Sequence, residues 1–329
     1  MRAIQQREFG GPEVLRYTEV PDPQAGPGQV RIWVRAAGVH LVDTTIRAGT
    51  GAGPFAPPEL PMVPGREVAG VVDQIGEGVP GGWLGQRVVA HLGPASGGYA
   101  ELAVRDVAAV HKLPEVEGPS DAEAVAMIGT GRTTMGILHA AGISKDDVML
   151  VTAAAGGIGG LLVQAGRNAG ATVVALAGGP DKVAVARELG ADIAVDYWQA
   201  GWPDQVREAL AGREVSLVLD GVAGEPGAAA LRLLDTGGRL VMFGWSSGAG
   251  APIPVTVDDI VARGLTVTWA IGPGMLRRHN LRELEEEALT AVTTGRLRPR
   301  VQCFPLADAA DAHRALETRA TSGKVVLEP

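Results

Sequence analysis

Between Val148 and Ala169 the chain runs from a short apolar stretch, VMLVT, through AAAGGIGG into a segment whose Ile158, Leu161, Leu162, Ala165 and Ala169 recur at helical spacing. A buried strand, a glycine turn and an amphipathic helix in that order leave few folds open, because such a turn is the entry to a parallel βαβ unit. Glycines let the backbone approach a ligand closely. The helix start offers unpaired N–H groups and a positive dipole end, so the feature points to phosphate. The spacing Ala154-x-Gly156-x-x-Gly159 is a dinucleotide fingerprint with alanine in first place, and it makes Ala155, Gly156, Gly157, Ile158 and Gly159 the candidate cofactor contacts. In a chain with 47 glycines the cluster alone says little, and a packing turn without a ligand is the bland alternative. The strand before it and the helix after it carry the reading.

The surrounding pattern agrees. From about Ser120 strands alternate with helices of about 10 residues: a helical DAEAVAMIGTGRTTMGILHAAG, then strands at 148–152, 171–177, 192–196, 215–220 and 238–244, with TVTWAI (266–271) as a last strand. That rhythm predicts a doubly wound parallel sheet, an α/β fold. A charged helix over 277–295 and a strand KVVLE follow. The first hundred residues instead alternate short apolar runs (30–39, 67–76, 86–92) with Pro- and Gly-rich loops such as 21–29 and 51–61, and predict a mostly antiparallel β domain.

Composition narrows the function classes. With 29 basic against 37 acidic residues the net charge is −8, and no basic block stands out, which argues against nucleic acid as a partner. No apolar run approaches 18 residues and MRAIQQREFGG lacks the apolar core of a signal peptide, so no membrane partner and a cytoplasmic location are expected. The lone Cys303 excludes an internal disulfide and any zinc site built on two thiolates.

The end of the second strand selects the cofactor. A carboxylate there, about 20 residues past the glycines, holds the ribose 2′-hydroxyl of NAD. This chain has Ala177-Gly178-Gly179-Pro180 instead; Asp181 comes late and is expected to cap the next helix. Lys182 either meets a 2′-phosphate or is a solvated helix residue, and the balance favours NADPH.

At this level the chain resembles the zinc-free quinone oxidoreductase (zeta-crystallin-like) branch of the medium-chain dehydrogenase/reductase superfamily. The likeness is carried by AAGVHLVDTTIRAG (36–49), PGREVAGVVDQIGEGV (64–79), GGYAEL (97–102), GRTTMGIL (131–138), AAAGGIGGLLVQ (153–164), DKVAVARELGADIAVDY (181–197), GRLVMFGWSSG (238–248) and the tail at 306–329. It implies a GroES-like, mostly β catalytic domain from 1–121 and 272–329, around a Rossmann NADP-binding domain at 122–271. It implies NADPH, with Lys182 and Tyr197, 15 residues apart, at the 2′-phosphate. Thr133 would contact the cofactor, Phe243 and Gly244 would lie beside the nicotinamide, and the protein would be a homodimer.

Zinc-dependent members of the superfamily carry Cys near position 40 and Gly-His-Glu where this chain has Gly65-Arg66-Glu67; here the residues are His40 and Arg66, so no metal is expected. Arg66 and Glu67 are read as an internal ion pair or hydrogen-bond anchor. Hydride transfer from NADPH to an already electrophilic small molecule, a quinone or α,β-unsaturated carbonyl, then remains. His40 and Asp43 stand where the family often has Asn and Asp. His40 either donates a proton to the reduced product or is a neutral stand-in within a polar network. Arg47 is expected to hold Asp43 or an anionic group in the substrate pocket, and Trp245 and Trp269 to give that pocket apolar walls; core or dimer packing is the alternative for Trp269. His91, His111, His139, His279 and His313 are read as surface or structural. An enoyl reductase acting on α,β-unsaturated thioesters or ketones, and a non-enzymatic NADPH sensor, are the rival functions.

Overall fold

The computed structural model describes residues 1–50, 58–93, 97–248 and 252–329. The loop at 51–61 and the pocket loop at 246–253 therefore lie partly outside the described residues. The chain forms two units, residues 1–130 with 289–329, and residues 131–288.

The first unit is built on strand alternation. In β3 (Gln29–Val39) Val30, Ile32 and Val34 are buried, while Arg31, Trp33 and Arg35 point outward, with the Arg35 guanidinium 3.7 Å above the Trp33 ring. The chain-order elements here are β1 (Arg2–Gln6), β2 (Leu15–Glu19), β3, α1 (Leu41–Ala48), β4 (Glu67–Ile75), β5 (Arg87–His91), β6 (Leu102–Asp106), β7 (Val110–Lys112) and α2 (Asp121–Ala126). β3, β4, β5 and β7 form successive antiparallel pairs, and β6 pairs with β3. After α2 the backbone forms a π turn over Met127–Gly131, which interrupts what the sequence presents as one helix.

The second unit runs α3 (Arg132–Ala141), β8 (Val148–Val151), α4 (Gly157–Ala169), β9 (Thr172–Ala177), α5 (Pro180–Glu188), β10 (Ile193–Asp196), α6 (Trp202–Leu210), β11 (Val215–Asp220), α7 (Gly224–Leu233), β12 (Leu234–Met242), α8 (Val257–Arg263), β13 (Thr266–Trp269) and α9 (Pro273–Arg278). Its six strands are parallel in the order β10-β9-β8-β11-β12-β13. All four residues of β8 are buried, as expected of a strand covered on both faces. The order reverses at β8, so a crevice opens at the carboxyl ends of the strands there.

The helix expected over 277–295 is two. His279 leaves helical geometry (φ −136°, ψ 140°), and the Asn280 Oδ1 accepts from Arg282 N (3.0 Å) to start α10 (Leu281–Thr293) afresh. The boundary also falls later than the sequence suggests: α9 and the first half of α10 belong to the doubly wound unit, where Met275 packs on Gly136 and Glu285 pairs with Arg132 at 2.8 Å. The chain then returns to the first unit with β14 (Val301–Pro305), α11 (Ala309–Glu317) and β15 (Lys324–Glu328). β15 pairs antiparallel with β3 and parallel with β14, so residues from both chain ends, Ile4 and Leu327 among them, share one core.

Candidate functional site

The glycine turn lies at the carboxyl end of β8. Gly156 is extended (φ −83°, ψ 176°) and precedes α4, and no side chain caps the helix start. The first intrahelical bond of the turn runs from Gly160 N to Gly156 O (2.8 Å), so the amides of Gly157, Ile158 and Gly159 fall before the ladder begins. A Cβ on Gly159 would sit 2.9 Å from the Ala154 Cα and inside contact with the Ala153 carbonyl. Only glycine fits, as the third place of the fingerprint demands. These amides and the helix dipole suit a pyrophosphate.

The neighbouring strand ends complete the edge. After β9 come Gly178 and Gly179; Lys182 stands in the first turn of α5, half-buried, and Tyr197 directly follows β10, also half-buried. Phe243 follows β12; it donates its amide to Asp220 O (2.8 Å) and packs its ring on Gly221. A Cβ on Gly244 would sit 2.9 Å from the Gly221 carbonyl, so glycine is needed for this close approach. Trp245 and Trp269 stack, with centroids 5.4 Å apart and planes at 23°, and Trp245 stays 40% exposed. Thr133 lies half-buried in the first turn of α3.

One element of this edge escaped the sequence reading. The Asp220 carboxylate, fully buried at the end of β11, accepts from Thr152 Oγ1 (2.8 Å), Val222 N (3.1 Å) and Ala223 N (3.0 Å), and Thr152 Oγ1 accepts from Gly221 N (3.0 Å). Burial raises the Asp220 pKa, against those hydrogen bonds. The group ties β8 to β11 at the crevice; its one sequence signal is a lone acid closing the apolar run VSLVLD.

The β unit holds a second cluster. Glu67 opens β4 with its carboxylate wedged where a Cβ on Gly38 or on Gly129, in the π turn, would collide. Its Oε1 lies 2.6 Å from His40 Nε2 and its Oε2 3.0 Å from Lys324 Nζ, and Lys324 Nζ lies 2.9 Å from His40 Nε2. Glu67 is 0% and Lys324 4% exposed, whereas the His40 side chain is 22% exposed and forms the outer end of the triad. Burial would raise the Glu67 pKa; the charges of His40 and Lys324 outweigh it and hold the carboxyl well below its usual range. Burial conversely lowers the Lys324 pKa, opposed by Glu67.

Asp43 and Arg47 take different places from those expected. Asp43 is buried; Oδ2 accepts from His40 N (2.8 Å) and Tyr99 OH (3.1 Å), and Oδ1 pairs with Arg66 Nε at 3.3 Å. It orients the start of α1, and thus His40. Arg47 is only 3% exposed, so it does not line a pocket. It holds Glu317 (2.5 Å), the Gly10 carbonyl (3.1 Å) and His313 Nδ1 (3.2 Å), and makes no bond to Asp43. Since Arg47 can only donate, His313 Nδ1 accepts, and Nε2–H then donates to Tyr99 OH (3.2 Å), whose own proton goes to Asp43. Arg66 and Glu67 each have an ion pair, but with Asp43 and with His40 and Lys324, not with each other.

Among the described residues no group of three or more His, Cys, Asp or Glu side chains is arranged to hold a metal. An ammonium beside His40 and Glu67, and a guanidinium at 66, oppose a dication there, so zinc does not fit these residues.

Comparison with known proteins gives a consistent picture. Residues 26–115 match the family model of the alcohol dehydrogenase GroES-like domain, and residues 157–290 that of the zinc-binding dehydrogenases. The chain is 34% identical to a 2-haloacrylate reductase of a Burkholderia species, over 97% of this chain and 96% of the relative. It is 30% identical to the quinone oxidoreductase of Sus scrofa, over 99% and 97% of the two chains. Among solved structures it superposes with a TM-score of 0.85 on the Escherichia coli quinone oxidoreductase complexed with NADPH, at 30% identity and over 100% of both chains. A structure of an NAD-dependent alcohol dehydrogenase gives a TM-score of 0.87 at 32% identity, again over 100% of both.

Proposed function

The chain belongs to the quinone oxidoreductase branch of the medium-chain dehydrogenase/reductase superfamily and is an oxidoreductase, and from that premise we propose that it reduces a quinone or another activated carbonyl acceptor with NADPH, without a metal. The observation that carries the reading is the edge of the doubly wound unit: an uncapped glycine turn at the switch point, no carboxylate at position 178, and Lys182 and Tyr197 beyond it. NADPH, when bound, supplies the hydride. The amides at the start of α4 would hold its pyrophosphate, Lys182 and Tyr197 its 2′-phosphate. By the family resemblance Thr133 would contact the cofactor, and Phe243 and Gly244 would lie beside the nicotinamide. The stacked Trp245 and Trp269 offer a flat apolar wall to an aromatic acceptor.

The reduced acceptor needs a proton, and His40 is our candidate donor. It is the outermost member of the triad, 22% exposed, with its Nε2 held 2.6 Å from Glu67 Oε1 and 2.9 Å from Lys324 Nζ, so the ring is fixed in place at the edge of the cluster. The 2-haloacrylate reductase relative favours a second reading, reduction of an activated carbon–carbon double bond, which the same groups would serve. A homodimer is also proposed: β13 ends the six-stranded sheet, and Val257 and Val261 on adjacent α8 are 73% and 75% exposed. No described helix is long and apolar enough to cross a membrane.

The test is NADPH against NADH oxidation, followed by absorbance, with 1,4-benzoquinone, 9,10-phenanthrenequinone, 2-chloroacrylate and crotonyl thioester. Quinone-dependent loss of NADPH supports the main reading; turnover with the alkenes alone moves it to the second; no turnover with any acceptor refutes both. His40→Asn should slow turnover and flatten its pH profile, and an unchanged profile removes His40 as the acid.

A further inference from the structure

Gly178 directly follows β9, nineteen residues past Gly159, where a dinucleotide-binding unit that reads a ribose 2′-hydroxyl carries its carboxylate. The position is not simply empty. A Cβ built on Gly178 would meet the Trp198 ring at 2.6 Å (Cε2), 2.7 Å (Cζ2) and 2.9 Å (Nε1). The same ring passes 3.2 Å from a Cβ on Gly179, whose φ of 89° already disfavours a side chain. One carboxylate fixes the two loops together: Asp196 Oδ1 accepts from Gly179 N (2.9 Å) and Trp198 N (3.0 Å), and its Oδ2 accepts from Gln199 Nε2 (3.3 Å). Asp196 thus spends its oxygens within the loops. The indole nevertheless leaves 63% of its surface in water, and the Tyr197 ring stands edge-on to it at 6.4 Å.

We propose that Trp198 is a specificity-determining residue: its indole fills the space from which a carboxylate at position 178 would bind a ribose 2′-hydroxyl, so NADH-type recognition is excluded by packing as well as by composition. This rests on the reading that the glycine edge binds a pyridine dinucleotide, and it sharpens the contrast with the NAD-dependent structural relative. Its consequence is coupling. An acid introduced at 178 can bind the ribose only once the indole is gone.

Isothermal titration of NADPH and NADH into the wild type, Gly178→Asp, Trp198→Ala and the double variant tests this. The wild type should prefer NADPH. Gly178→Asp should lose NADPH affinity without gaining NADH affinity beyond about threefold. The double variant should bind NADH at least tenfold more tightly than Gly178→Asp does. Equal NADH affinity in single and double variants, with the wild type still binding NADPH, overturns the role of Trp198 alone; a wild type that binds neither nucleotide overturns the dinucleotide reading and this inference with it. A second cycle needs no nucleotide. Gly178→Ala, which adds only the Cβ, should lower the thermal midpoint in the wild-type background and leave it unchanged when Trp198 is Ala. Equal effects in both backgrounds also overturn the proposal.

Discussion

Removing the Lys324 amine with Lys324→Met leaves Glu67 buried, at 0% exposure, with His40 as its remaining ion-pair partner among the described residues. The least costly escape is for Glu67 to take up a proton. From an ordinary value of 4.5, doing so at pH 7 spans 2.5 units, or about 3 kcal/mol at about 1.36 kcal/mol per unit. That agrees with the roughly 3–5 kcal/mol lost when one partner of a buried pair is deleted. At about 2 kcal/mol per molar urea the midpoint for the β unit should fall by about 1.5 M. The sign of the pH dependence also changes. In the native chain Glu67 titrates below its unfolded value, so its contribution is present above the ordinary carboxylate range and is lost as pH falls. In the variant the folded carboxyl is raised, so the deficit shrinks toward pH 5. The double variant Glu67→Gln/Lys324→Met, which strands no charge, should recover most of the loss. Urea unfolding at pH 5 and 7, with hydrogen exchange of β4 to localise the effect, measures all of this. A midpoint shift under about 0.5 M, or a double variant no better than Lys324→Met, would refute the reasoning.

Two further outcomes follow from the buried network. Burial drives the His313 pKa down to about 4 from 6.5, against the Asp43 charge, so the folded chain keeps it neutral where the unfolded chain binds a proton. Stability should therefore fall by about 3 kcal/mol as pH drops from 6.5 to 4 and no further below that on this account; His313→Asn should lack that segment of the profile, and an identical profile would discard it. Arg47→Met should cost about 2 kcal/mol by stranding the buried His313 Nδ1 acceptor while leaving the KM for the acceptor within twofold; unchanged stability with a raised KM would return Arg47 to the substrate pocket.

The parts of this molecule set by local rules were legible in the sequence. Short apolar runs announced β3, β8 and β11, and the glycine turn announced the start of α4, because each depends on residues adjacent in the chain. The helix expected over 277–295 is two because one capping side chain, Asn280, outweighs a continuous helical pattern. What depended on distant partners could not be read. Nothing local says that Lys324 in the last strand reaches His40 and Glu67, that Arg47 turns inward to His313, or that the Trp198 ring closes the space at Gly178. The sequence by itself determined the kind of cofactor edge this protein has, because a missing side chain and a helix start are properties of a short segment. The tertiary structure alone decided which charges are paired and which space is filled, because burial and Coulomb attraction act between groups up to nearly 300 positions apart, as in the 284 that separate His40 and Lys324.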